Sequence, residues 1–424
     1  MSNILIQNGR LIDLQNKLDQ IDSLYIRDGK ISSIGSAPDQ FVADTTIDAK
    51  GLIVCPGLID LCARLREPGA EHKATIASET HAAAKAGITL LCMPPDTNPV
   101  IDEPAIVELI QKRAQQQQAA NIVTLGALTR GLAGHQLSEM AALKKAGCVG
   151  ISNALQPMES SKVLRHAMEY AATHELTLHV VPMNRTLTQG GVAHEGEVAT
   201  RLGLQVIPVS AETVAIAQHI ALAEETGAKV HFGRITSARA VDMIDRAKQR
   251  GVPITADVAI HNLHLTESSI EHFNSQAHVL PPLRASSDRD ALRAAFKNGV
   301  IDAICSDHQP HEADAKLNPF PVTEPGISGI DTLLSLSLML VEELDIDIAT
   351  LLNKLTYIPA TILNSNRGSL AVAATADLCL YDPNEAWTVT KERFNSAGKN
   401  TPFLNKELKG KVKHTIIDGQ LFSA

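Results

Sequence analysis

Short apolar runs broken by turn residues open the chain. NILIQNGRLID and SLYIRDGKISSIG alternate apolar and polar positions with the period of two expected of half-buried strands. Asp28-Gly29 lies between two such runs as a hairpin turn would. TTIDAKGLIVCPG follows, and the far end repeats the style in ADLCLYDPNEAWTVT and GKVKHTIIDGQLF, with a second Asp-Gly at Asp418-Gly419. Neither end has enough strands to bury a face alone, so residues 1–54 and 371–424 are predicted to combine into one small composite β-sandwich domain.

Over residues 55–370 the period changes. The apolar runs GLIDLCARL, GITLLCMPP, NIVTLGAL, CVGISN, LTLHVVP, KVHFGRI, PITADVA and DAICSDH alternate with amphipathic stretches such as SSKVLRHAMEYAATHE and SARAVDMIDRAKQRG. Several of these stretches close on Gly, as helix C-termini do. Strands alternating with helices in this number predict an α/β fold, a parallel (β/α)8 TIM barrel, with a doubly wound open sheet as the alternative on pattern alone. In such barrels chemistry gathers at the C-terminal ends of the strands, so those positions matter most.

Composition narrows the partners. With 38 Lys+Arg against 47 Asp+Glu the formal charge is -9, and no Lys/Arg-dense run occurs, which argues against nucleic acid and anionic membranes. The opening MSNILIQNGR lacks a basic stretch followed by an apolar one, so no signal peptide is expected. The greasiest stretch, Leu333 to Val341, is too short to span a membrane. The six cysteines form no CxxC pair and five lie in apolar runs, as buried free thiols of a cytoplasmic protein would.

The first barrel run ends in IDLCARLREPG. Here the chain resembles the dihydroorotase branch of the cyclic amidohydrolases, in which this strand closes on Asp-x-His-x-His-x-Arg followed by Pro-Gly. Asp60, Arg66, Pro68 and Gly69 keep that frame, while the two His positions hold Cys62 and Arg64. GITLLCMPPDTNPVID, the stretch from Glu195 through LGLQVIPVSAETVAIAQHIALAEETG, PPLR at Pro281 to Arg284, SDHQPH at Ser306 to His311, and the tail from DPNEAWTV to TPF extend the resemblance over nearly the whole chain. Together, in order and at compatible spacing, they are specific.

The resemblance implies a binuclear zinc centre with two first-strand His, a bridging acidic group, two further His and a final Asp. Those positions fall here on Cys62, Arg64, Asn153, His179, Arg234 and Asp307, so only His179 and Asp307 keep their chemistry. The second later His is replaced by Arg234, leaving His231, a non-ligand, nearby. Arg66 and His311 are implied as remnants of a substrate-carboxylate pocket. A substrate-binding Asn has no clear counterpart beside Pro95 and Asp96, and another is Leu280.

Arginine has no lone pair to give and stays protonated, so Arg64 and Arg234 cannot ligate a metal. A unit charge about 4 Å from a dication is repelled by roughly 8 kcal/mol at an effective dielectric of 20. Asn153 is neutral and a poor bridge, and Cys62 reads as a buried thiol. No zinc and no working catalytic group are therefore expected, with Asp307 a remnant. Either the two guanidinium groups fill the space of the ions and pair with Asp307, or both arginines point to solvent. His261 and His264 read as loop or helix-start residues, and His194-Glu195 as a capping segment before a helix.

The resemblance extends to inactive dihydroorotase-like chains that hold bacterial aspartate carbamoyltransferase assemblies together. It implies a pseudoenzyme of pyrimidine biosynthesis that docks onto aspartate carbamoyltransferase catalytic chains, as a homodimer or within a larger hetero-oligomer. Two rivals stand beside it. One is a zinc-dependent dihydroorotase working with a single displaced metal at Cys62, His179 and Asp307. The other is a regulator whose Arg64, Arg66 and His311 bind an anionic ligand.

Overall fold

The computed structural model describes residues 3–422. Five strands, β1 (Ile4–Asp13), β2 (Leu18–Arg27), β3 (Lys30–Ile34), β4 (Thr45–Asp48) and β5 (Ile53–Pro56), precede the barrel. The barrel strands are β6 (Leu58–Asp60), β7 (Ile88–Met93), β8 (Asn121–Ala127), β9 (Gly150–Ser152) and β10 (Thr177–Val180), then β13 (Val230–Phe232), β14 (Ile254–Ala259) and β15 (Ala303–Cys305). Between β10 and β13 a two-stranded ribbon interrupts, β11 (Ala193–His194) beside β12 (Val206–Ile207). The chain closes with β16 (Leu378–Thr388), β17 (Glu407–Ile417) and β18 (Gln420–Phe422).

The termini do combine. Their sheet runs β18-β17-β16-β5-β1-β2-β3, with β4 parallel to β1, so strands more than 300 residues apart pair directly through β16 and β5. Asp28-Gly29 and Asp418-Gly419 both turn hairpins, with φ of 52° and 77° in the first and 49° and 73° in the second. The positive φ at both central residues is what a tight hairpin turn requires. Ile4, Ile6, Leu24, Ile26, Leu378 and Leu380 form the core of this sheet.

The barrel sheet runs in order from β6 to β15, every pairing parallel. Parallel strands are covered on both faces, which is why β7 is apolar and buried at nearly every position. Ser160 and Ser237 cap the helices Ser161–Thr173 and Ala238–Gln249 by accepting from backbone amides. Ile59, Leu61, Leu90, Cys92, Leu125, Ala259, Ala303 and Cys305 pack together as a filled interior. All six cysteines are buried free thiols.

Closure is made just beyond β6 and β15. The His308 amide donates to Cys62 O at 3.1 Å, and the Arg64 amide donates to His308 O at 2.9 Å. This seam rules out the open doubly wound sheet. It also sets the first-strand positions 62 and 64 against the last-strand Asp307. Leu333 to Val341 falls in the helix Leu333–Leu344, and no helix among the described residues is long and apolar enough to cross a membrane.

Candidate functional site

The turns that leave the barrel strands carry backbone strain. Arg66, Ala154, Arg234 and Asp307 have φ of 65°, 49°, 58° and 44°. Left-handed backbone costs a non-glycine residue about 1–2 kcal/mol, and such residues gather where side chains must be aimed. Here two of them, Arg234 and Asp307, are aimed into one another.

Arg234 donates from one guanidinium nitrogen to Asp307 Oδ1 at 2.7 Å, and its own amide donates to Asp257 Oδ1 at 2.6 Å. Arg64 donates from Nε to Asp96 Oδ2 at 2.8 Å, while its Nη1 lies 3.6 Å from the same Asp307 oxygen. Arg64 and Arg234 are 5% and 3% exposed, so the solvent-pointing alternative is excluded and the pairing one holds. Gln309 Nε2 also donates to Asp307 at 3.2 Å. Burial by itself lowers the pKa of each arginine, but Asp307 for Arg234 and Asp96 for Arg64 reverse the effect, and both end above the ordinary value. Asp96 is held below the usual range because Arg64 outweighs its burial. The result is a buried core of Arg64, Arg234 and Asp307, with Asp96 pairing with Arg64 from its solvent-facing side.

Cys62 points into this cluster, its sulfur 3.7 Å from Asp307 Oδ1 and 4.0 Å from Arg64 Nη1. Burial pushes its thiol up to about 12, despite the nearby Arg234, so it rests as a neutral thiol at neutral pH. His179 is buried and its Nε2 meets no hydrogen-bond partner among the described residues. Burial and neighbouring His231, 5.1 Å away between ring centres, hold it well below the usual imidazole range. His231 is engaged at both nitrogens, by Thr255 Oγ1 at 2.8 Å and Asp257 Oδ2 at 2.9 Å.

Asn153 has been built into a cage for an amide. Its Oδ1 accepts from Thr129 Oγ1 at 2.8 Å, and its Nδ2 donates to the carbonyls of Leu132 at 3.2 Å and Gln156 at 2.8 Å. An aspartate there would set lone pairs against lone pairs. Asn153→Asp is accordingly expected to cost about 1–3 kcal/mol at pH 7.5. The penalty falls on the ionised form, so it grows as pH rises above the unfolded carboxyl value of about 3.9 and fades below it. Denaturant unfolding at pH 4 and pH 7.5 checks this, and equal losses at both would contradict the cage.

These residues do not fit a binuclear zinc centre. The two arginines fill the place of ligands and supply positive charge themselves, and Asp307 is already paired. Among the described residues no group of three His, Cys, Asp or Glu side chains is arranged to hold a metal ion.

The pocket remnants also interact with each other. Arg66 donates from Nε to Pro310 O at 3.0 Å and its Nη2 lies 3.0 Å from His311 Nε2. His311 Nδ1 lies 3.1 Å from Lys73 Nζ. Burial and the adjacent Arg66 bring His311 down to about 2, so it is a neutral imidazole. His308 is structural, its Nε2 2.8 Å from Glu79 and its Nδ1 accepting the Gly329 amide at 3.1 Å.

His261 lies in a 3-10 turn, Ile260–Leu263, and His264 caps its end. His194-Glu195 is not the capping segment expected from the sequence. His194 sits in β11 and accepts from Arg284 at 3.1 Å, and the following helix Glu197–Leu202 begins at Gly196 without a side-chain cap. Arg284 draws it in because that guanidinium is buried and needs acceptors. Asp96 as the partner of Arg64, and Asp257 altogether, escaped the sequence reading. A lone acid inside the apolar run PITADVA was the available signal for Asp257.

A family model described as dihydro-orotase-like matches residues 51–240. The chain is 48% identical to a dihydroorotase-like protein of Pseudomonas aeruginosa, over 99% of both chains. It is 39% identical to a dihydroorotase of Geobacter sp. strain M21, again over 99% of each. Among solved structures, an L-hydantoinase (dihydropyrimidinase) from Arthrobacter aurescens superposes with a TM-score of 0.89 over 99% of this chain and 96% of that one, at 22% identity, a likeness of fold. On the full-length identity to these relatives, this chain belongs to the dihydroorotase-like family.

Proposed function

We propose that this chain is a non-catalytic dihydroorotase-like protein of de novo pyrimidine biosynthesis, working in the cytoplasm as a structural subunit for aspartate carbamoyltransferase. The Arg234–Asp307 ion pair carries the reading. Opening or closing a cyclic amide needs an activated water and a Lewis acid on the carbonyl, and a carboxylate to shuttle the proton. Asp307, the residue left for the last task, is committed to Arg234 and sealed from water. The barrel itself is intact, with a filled interior and a closed seam, which supports a role for its outer surface. Co-expression with aspartate carbamoyltransferase catalytic chains is expected to give one co-eluting species on sizing chromatography, larger than either chain alone. Separate elution of the two at micromolar concentration would sink the scaffold role.

A second reading has one observation in its favour. Arg64 Nη2 is buried and lacks a partner among the described residues, and a cavity of about 120 Å³ lined by Arg64, Arg66, Asp96, Thr97 and Asn98 adjoins it. A buried guanidinium nitrogen without an acceptor suits a small anion, so the remnant pocket would sense a carboxylate ligand. Calorimetry with carbamoyl aspartate and dihydroorotate separates this role from a purely structural one.

A further inference from the structure

Away from the barrel mouth, a cleft of about 380 Å³ opens between the helix Leu333–Leu344, the end of the helix Ile76–Lys85 and the terminal sheet at Gly410 to Val412. That volume lies within the range of small-molecule sites. None of the six ligand positions lines it. Its walls combine one aromatic ring with several cations.

The ring belongs to Trp387, the one tryptophan in the sequence. Its Nε1 donates to Ser335 Oγ at 3.0 Å, and that hydroxyl donates to Gly410 O at 2.8 Å. The indole is thereby fixed with its single polar atom spent, so what remains for the cleft is π surface.

Lys85 and Arg393 also line the cleft, and neither side chain makes an ion pair among the described residues. Lys411 shares Glu385 with Lys413, at 3.4 Å from that carboxylate. On the acidic side, Asp331 is consumed by donors from Asn395 and Ser396 at 2.7 to 3.2 Å. Glu392, fully exposed at the rim, accepts from Thr390 and from its own backbone amide. Lys85, Arg393 and Lys411 set against Asp331 and Glu392 leave the lining with a formal charge of +1, beside a preoriented ring.

We propose that this cleft is a binding site for an aromatic anion of mononucleotide size, its planar ring on Trp387 and its phosphate between Lys85 and Arg393. Stacking on a fixed aromatic face tolerates any base, and the phosphate supplies the acceptor oxygens both cations lack. The site is independent of the scaffold role and of the buried ion cluster.

Trp387 makes its own reporter. Titrating the full chain with adenosine and uridine 5'-monophosphates is expected to change tryptophan fluorescence saturably at sub-millimolar to millimolar concentration. The matching nucleosides and inorganic phosphate, each offering half of the contacts, should bind at least about tenfold more weakly, equivalent to about 1.4 kcal/mol. Lys85→Ala with Arg393→Ala, both at exposed positions, should weaken the nucleotides by a similar factor while leaving thermal stability unchanged. Absence of a saturable response to either nucleotide would overturn the proposal, as would unchanged affinity in the double variant. Equal affinity for nucleoside and nucleotide would overturn the anion component and with it the site as stated.

Discussion

Asp307→Asn is expected to lower stability by about 3–5 kcal/mol, the usual cost of removing one partner from a buried ion pair. Asparagine keeps the shape of the side chain and part of its hydrogen bonding, so the loss isolates the charge. Arg234 would keep no carboxylate, because Asp307 is its one salt-bridge partner among the described residues. Arg64 fares better, since Asp96 remains at 2.8 Å. The two guanidinium groups would then face each other without the anion that separates them. Denaturant unfolding should show a lower midpoint at unchanged m-value. Adding Arg234→Met should return most of the loss, because a buried pair replaced on both sides by uncharged groups is often close to neutral. A loss below about 1 kcal/mol, or no recovery in the double variant, would remove Asp307 from the centre of the account.

The second large effect concerns metal. Restoring imidazoles together by Cys62→His, Arg64→His and Arg234→His removes two fixed positive charges and adds three neutral nitrogen donors beside His179 and Asp307. Positions 62 and 64 are two apart on a strand-like segment, so both side chains project to one side. Zinc then has enough donors for a tetrahedral site, and the repulsion of roughly 8 kcal/mol per nearby guanidinium is gone. Affinity is expected to rise by at least three orders of magnitude, about 4 kcal/mol, read by competition with a chromogenic chelator. Full dihydroorotase activity is not expected to follow, because Asn153 remains in a cage shaped for an amide. A triple variant that still ignores micromolar zinc would place the block elsewhere than on the arginines.

Much of this was legible before folding was considered. Parallel strands buried on both faces read as unbroken apolar runs, so β7 and its neighbours declared themselves, and the Asp-Gly turns marked both ends of the terminal sheet. The six ligand positions were legible through the resemblance to the dihydroorotase branch. Their present partners were not. Asp96 reaches Arg64 from another strand end, Asp257 reaches Arg234 and His231 from β14, and the carbonyls around Asn153 come from the loops that hold Leu132 and Gln156. Such pairs exist only once the barrel closes, and nothing in local periodicity reports them. The choice between arginines that pair and arginines that face solvent was likewise settled by burial, which depends on that closure.

The measurement that bears most directly on the central claim is metal content and turnover on one preparation. The purified natural chain, incubated with excess zinc and desalted, is predicted to retain far less than one ion per chain and to leave dihydroorotate unhydrolysed. Stoichiometric zinc together with dihydroorotate hydrolysis would contradict the claim that arginine has taken the metal's place.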